Sequence, residues 1–219
     1  MRRRYRRRKK DDTVEAMGWV ALGVLGLACL AKKPVAPPAP PSPTYIGIPT
    51  PVADFVAAAQ AQDMWCWAAC IQMILNFYGI PITQDEIVTR VYRCPINEPA
   101  TDDVISASLN GWGINAQGRR FVVRSYVASG PPTAPVLTRE LINGRPILLA
   151  FNSGTSIGHA VVITAASRMG PLVSSVVFRD PSPTTENVAE KGRVELAMDR
   201  LAEFLPSVRS HWLVSVQQL

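Results

Sequence analysis

The sequence predicts an α+β fold with a helical N-terminal lobe and an antiparallel β lobe after it. Helical periodicity with capping residues is concentrated at positions 66–109, and apolar or β-branched runs separated by Gly, Pro and Ser turns dominate 147–179. No self-similarity at solenoid period is present. A chain of 219 residues that is 47% hydrophobic has enough material for one sizeable core, and four cysteines over that length exclude a small disulfide-built scaffold.

Residues 1–15 form a basic N-terminus expected to stay in the cytoplasm. Residues 16–31 (AMGWVALGVLGLACLA) carry no charge and are followed by Lys32 and Lys33. Sixteen apolar residues make a helix of about 24 Å, which spans a bilayer if the flanking basic side chains snorkel to the headgroups. The expected reading is an uncleaved membrane anchor. Under the positive-inside rule it leaves everything after Lys33 across the membrane, as in a bacterial inner-membrane protein with a periplasmic domain. The alternative is a signal segment cut after Cys29-Leu30-Ala31, giving a secreted protein, although two lysines directly after the apolar core disfavour cleavage. Residues 32–53 read as a proline-rich linker, since eight of the nineteen prolines fall in 34–51 and favour an extended spacer.

Residues 54–219 read as the globular domain. The stretch 66–78 (CWAACIQMILNFY) is apolar on nearly every face and stops at Gly79, with Pro81 beyond, as a buried central helix does. Thr83 and Glu86 have capping-box spacing ahead of a second, amphipathic helix. A third is expected over 102–109, where Asp102 and Asp103 complement the dipole of its first turn. After a short helix near 138–143, strands are expected over 147–151, 160–165 and 172–179. A last helix is expected over 195–205, and a closing strand over 212–216.

The charge is unevenly divided. The whole chain carries +6, but from residue 34 onward there are 13 basic and 14 acidic residues. The domain is close to neutral, so the basic excess bears on membrane topology, and no nucleic-acid partner is expected.

Chemistry concentrates around Cys66. A cysteine where a loop becomes a helix sits among unpaired backbone N–H groups at the positive end of the dipole, which favours a thiolate. Only two histidines are present. His159 opens an apolar strand, and Gly158 before it leaves room for close approach. If that strand pairs with the next as a hairpin, Asp180 falls beside the His159 ring. The other histidine, His211, has eight residues after it and none is Asp or Asn, so it lacks a downstream orienting partner.

These residues resemble the papain-like cysteine peptidases, and most closely the compact bacterial branch typified by avirulence effector proteases. The likeness rests on Gln60 six positions before Cys66, on Trp65-Cys66-Trp67-Ala68-Ala69, on Gly158-His159 at a strand start, and on Asp180 after the next strand. It implies a papain-like fold with the nucleophile at the start of the central helix and His and Asp on the β lobe. It also implies peptide-bond hydrolysis through a Cys66-His159-Asp180 triad and a thioester acyl-enzyme. Gln60 takes the oxyanion-hole role, with Gln62 as the fallback, and Trp65, Trp67 and Gly158 wall the substrate cleft. The separations of 93 and 114 residues from Cys66 to His159 and Asp180 are shorter than in the larger plant and lysosomal enzymes.

A protein or peptide substrate is therefore expected, with no cofactor and no metal. Cys70 shares a helix face with Cys66, and a Cys70–Cys94 disulfide joining the first two helices is the expected pairing for an oxidising compartment. Two other uses of the site stay open at this point. One is a transpeptidase, amidase or acyltransferase with the same residues, and the other is an inactive cleft that only binds peptide.

Overall fold

The computed structural model describes residues 42–111, 113–114, 118–154, 157–182 and 187–219. The basic N-terminus, the apolar segment 16–31 and the linker as far as residue 41 lie outside the described residues. The chain then runs β1 (Thr44–Gly47), α1 (Thr50–Val56), α2 (Cys66–Phe77), α3 (Gln84–Tyr92), α4 (Asp102–Leu109), β2 (Phe121–Ser129), α5 (Ala134–Ile142) and β3 (Ile147–Phe151). It continues with β4 (His159–Met169), β5 (Leu172–Arg179), β6 (Arg193–Ala197), α6 (Met198–Phe204), a 3-10 turn and β7 (Val208–Gln218).

All strand pairings are antiparallel, in the order β2-β7-β3-β4-β5-β6, and β1 pairs with β4. Strand alternation divides the core between the two faces of the sheet. Leu148 and Ala150 of β3 and Ala160 and Val162 of β4 pack with α2, α3 and α4. Ile147 and Leu149, with Val161 and Ile163, pack instead with Leu137 and Leu141 of α5 and Leu201 of α6. Each fully buried Ile or Leu contributes about 1.5–3 kcal/mol relative to exposure, so both layers hold the sheet in place.

The central helix α2 has nine of its twelve residues buried, which is why its sequence is apolar all round. The Thr83 capping box forms in full: the Glu86 N–H donates to Thr83 Oγ1 at 3.3 Å, and the Thr83 N–H donates to Glu86 Oε2 at 2.8 Å. The α4 helix has the expected bounds, with Thr101 as its cap.

Four expectations are corrected. The segment 193–197 is strand β6, not the start of the last helix. Glu195 lies opposite Val177 and accepts from Ser175 Oγ at 2.6 Å, so pairing with β5 overrides its helical preference. β7 spans 208–218 and lies between β2 and β3, where its apolar residues are covered on both sides. The linker ends early, because Thr44–Gly47 pairs with Ala165–Arg168 and 50–56 is helical. β2 occupies 121–129, where sequence reading marks no element.

Candidate active site

The start of α2 supplies Cys66. Trp65 is the N-cap and Cys66 the first helical residue, so the Cys66 N–H has no partner within the helix. The Cys66 side chain borders a cavity of about 140 Å³, lined also by Gln60, Trp67, Gly158, His159 and Arg209. His159 begins β4, opposite Phe151 of β3, whose ring meets the imidazole edge-on at 5.6 Å. A Cβ on Gly158 would stand 3.0 Å from the Phe151 carbonyl oxygen, tighter than ordinary contact, so the small residue lets this turn close.

The β4–β5 register sets Val162 opposite Arg179 and thereby carries Asp180 back to His159. The His159 Nε2–Asp180 Oδ1 distance is 2.7 Å. With Nε2 engaged, Nδ1 is the nitrogen left to face Cys66, which borders the same cavity as the imidazole and interacts with it electrostatically. Burial alone would lower the His159 pKa. The hydrogen bonds to Asp180 and Cys66, with the charges of both, outweigh burial and raise it from 6.5 to about 9. The arrangement stores a proton on the imidazole beside a nucleophilic sulfur, as acyl transfer requires.

Gln60 borders the same cavity, and its Nε2 donates to the carbonyls of Gln62 at 3.1 Å and Asp63 at 2.8 Å. To donate to an oxyanion, the amide must release one of these carbonyls. Its backbone N–H donates to the Pro181 carbonyl at 2.7 Å, which joins the glutamine loop to the residue after Asp180.

Several supporting residues escape sequence reading. Gln84 is buried on α3 and brackets Gln60: its Nε2 donates to the Ala59 carbonyl and Gln72 Oε1, and its Oε1 accepts from the Ala61 N–H. Arg179, 2% exposed, pairs with Asp54 of α1 at 2.5 Å and donates to the Glu190 carbonyl at 2.6 Å. Gly192 has φ +72° and accepts from the Asp180 N–H at 2.8 Å, and a Cβ there would collide with the Asp180 carbonyl. The one usable sequence signal among these is the arginine next to Asp180, a charge inside an apolar strand.

The structure thus brings Cys66, His159, Asp180, Gln60, Trp67 and Gly158 together. Trp65 is placed elsewhere: it is 1% exposed, does not line the cavity, and donates from Nε1 to the Ile96 carbonyl at 2.8 Å. Trp67 does both jobs, lining the cavity and donating to the Glu98 carbonyl at 3.2 Å. Gln62 is exposed and away from the cavity, and its backbone carbonyl accepts from Gln60. His211 is buried on β7, with Nδ1 2.7 Å from the Gly130 carbonyl.

The expected Cys70–Cys94 disulfide is corrected, since both thiols are free. Cys70 is fully buried on the face of α2 that senses the charges of Cys66 and Asp180. Cys94 is exposed just past the end of α3, its Sγ 3.7 Å from the Tyr92 carbonyl. Among the described residues, no group of three or more His, Cys, Asp or Glu is placed to hold a metal. No helix among them is long and apolar enough to cross a membrane.

A sequence model of the Peptidase_C39 like family matches residues 52–200, well over half of the chain. The chain belongs to the Peptidase C39-like family. It is a cysteine peptidase with a papain-like fold, and solved structures agree on that fold. The peptidase domain of Streptococcus ComA, described as a bi-functional ABC transporter involved in quorum sensing, aligns with a TM-score of 0.52 at 11% identity. That alignment covers 73% of this chain and 96% of the other. Digestive procathepsin L2 from Tenebrio molitor larval midgut gives a TM-score of 0.52 at 11% identity, covering 78% of this chain and 68% of the other. A search of curated protein sequences finds no match.

Proposed function

We propose that this peptidase hydrolyses peptide bonds through Cys66, His159 and Asp180, with a thioester acyl-enzyme. The observation that carries this reading is the His159–Asp180 contact of 2.7 Å on an imidazole that lines one cavity with Cys66. The Cys66 sulfur attacks the scissile carbonyl carbon, and the carbonyl electrons move onto its oxygen. The Cys66 N–H and the Gln60 amide donate to that oxyanion once Gln60 lets go of a backbone carbonyl. Imidazolium His159 gives its proton to the departing amine as the C–N bond breaks and the thioester remains. Neutral His159 then takes a proton from water, whose oxygen attacks the thioester and frees the acid and the thiolate. Asp180 holds the ring and stabilises its charged form without transferring a proton.

The same acyl-enzyme passes to an amine if one reaches it before water, which is the route to transpeptidase or acyltransferase activity. The peptidase's family membership favours water as acceptor.

The thiol chemistry is tested by labelling with an epoxide probe. The wild type should be modified at Cys66, and Cys66→Ala and His159→Ala should lose that labelling. Equal labelling of all three, or modification at Cys70 or Cys94 alone, overturns the assignment.

Tethering by residues 16–31, with the domain in the periplasm, is supported by the basic flank and the uncharged run after it. A reporter fused after Leu219 should work outside the cytoplasm only, and cytoplasmic function would refute this topology. Recovery of the domain from the medium, starting after residue 31, would instead identify a cleaved signal.

A further inference from the structure

β7 breaks its regular pairing beside the cavity. Ala150 of β3 faces Ser210 and Phe151 faces Val208, so Arg209 is an extra residue with no partner on β3. A bulge of this kind re-aims a side chain. Ser210 points to α4 and donates from Oγ to Asp102 Oδ2. In an unbroken strand its neighbour Arg209 would point to the opposite face. The Arg209 guanidinium instead reaches the same carboxylate, with Nη2 2.9 Å from Asp102 Oδ1, and forms part of the cavity wall.

The Asp102 contact engages Nη2. The other terminal nitrogen, Nη1, lies 3.6 Å from where a Gly158 Cβ would stand, one residue before His159. The Arg209 side chain is 43% exposed, so solvent screens the ion pair and a ligand has access to the guanidinium. Asp102 is fixed by Ser210 as well as by Arg209, which limits the wandering of the long side chain. A planar guanidinium with donors in a fork matches a carboxylate, and a pre-positioned one loses less freedom on binding it. The cavity is also polarised, because its own carboxylate, Asp63, comes from the loop before α2, whereas Arg209 comes from the sheet.

We propose that Arg209 is a specificity-determining residue that receives a substrate carboxylate next to the scissile bond, either an acidic side chain or the free carboxylate of the chain end. The inference rests on the peptidase reading of the same cavity. It is tested with internally quenched peptides that carry Glu or Gln at each position flanking the cleaved bond, and with matched peptides ending in a free or an amidated carboxyl group.

In the wild type one Glu position, or the free terminus, should raise kcat/KM about tenfold or more over its neutral match, the range of a charge-assisted hydrogen bond. Which pair shows the effect identifies the source of the carboxylate. In Arg209→Gln the ratio should fall to about one, whatever the absolute rate, and Arg209→Lys should keep part of it. No preference at any position, or a preference that survives in Arg209→Gln, overturns the inference. If the wild type cleaves no peptide, the hydrolytic reading fails by itself. Fluorescence polarisation of the same peptides on Cys66→Ala, with and without Arg209→Gln, then decides carboxylate recognition on binding alone. If Arg209→Gln does not fold, the acidic-to-neutral ratio in Arg209→Lys decides, and a ratio equal to wild type refutes the role of the fork.

Discussion

Asp180→Asn should move the alkaline limit of peptidase activity downward. In the native site the His159 pKa is about 9, against an ordinary 6.5, because hydrogen bonds and charges from Asp180 and Cys66 exceed the opposing effect of burial. The working pair needs imidazolium, so kcat/KM should hold up to mildly alkaline pH and fall as pH rises through about 9. Asparagine retains an oxygen that accepts from Nε2 and removes the charge. The alkaline limb should therefore slide from about 9 toward 6.5, with a large loss of rate at pH 8.5 and a small one at pH 6. Stability carries the same signature. A histidine whose folded pKa is raised contributes fully below the unfolded value and loses that contribution as pH climbs to the folded value. The rise from 6.5 to about 9 corresponds to roughly 3 kcal/mol at about 1.4 kcal/mol per unit, with Asp180 and Cys66 both contributing. Initial rates on one quenched peptide from pH 5 to 10, with denaturant unfolding at pH 6 and 9.5, read both effects. Wild type should lose stability between those two pH values, and Asp180→Asn should lose less. An unchanged alkaline limb in the variant, with the same pH dependence of unfolding, would refute the electrostatic reasoning.

Gln60→Ala should lower kcat by about 10²–10³ with KM little changed in steady-state kinetics, the cost of one oxyanion donor. A change confined to KM would assign Gln60 to ground-state binding. Gln84→Leu strips the partners from Ala59, Ala61 and Gln72. It should cost about 1–3 kcal/mol in denaturant unfolding and depress kcat at temperatures where the variant is fully folded. Full kcat in folded protein would show that Gln84 does not position the Gln60 loop. Gly192→Ala should destabilise by about 1–3 kcal/mol through left-handed backbone strain and collision with the Asp180 carbonyl. It should also shift the alkaline limb of activity, and a stability loss without that shift would confine Gly192 to the fold.

The residues proposed to do the chemistry are legible in the sequence, whereas those that position them are not. Cys66 is marked by the break between a polar loop and a fully apolar helix, His159 by scarcity and by its place at a strand mouth, and Asp180 by the end of the next strand. Each is a local signal, and the hairpin of β4 and β5 turns two of them into a contact. Gln84, Arg179 and Arg209 work across 23, 125 and 107 residues of chain, to Ala61, Asp54 and Asp102. No local pattern specifies such partners. Strand β6 was hidden for a related reason: the helical preference of its residues is local, and the edge of β5 that overrides it is not. The bulge at Arg209 is invisible without the register of β3 against β7.

The cysteines permit a last check that bears on every labelling experiment. Cys70 lies one turn beyond Cys66 on the same helix and is fully buried, and burial raises its thiol well above the ordinary range, with the charges of Cys66 and Asp180 adding to the effect. The thiolate is the reactive form, so Cys70 should stay unmodified by iodoacetamide at pH 7–8 until the protein unfolds. Cys94 is exposed and should be alkylated slowly in the folded state, while Cys66 should react fastest because an imidazolium stands beside it. Timed alkylation followed by peptide mass mapping separates these sites from one another and from Cys29. Replacing Asp180 by Asn should slow Cys66 above pH 8 and leave Cys94 unchanged, since only Cys66 depends on the charge state of His159. Finding Cys70 linked to Cys94 in protein taken from an oxidising compartment without reductant would contradict the free-thiol arrangement. Fast alkylation of Cys70 in folded protein would contradict the packing of α2 against the sheet, and with it the placement of Cys66.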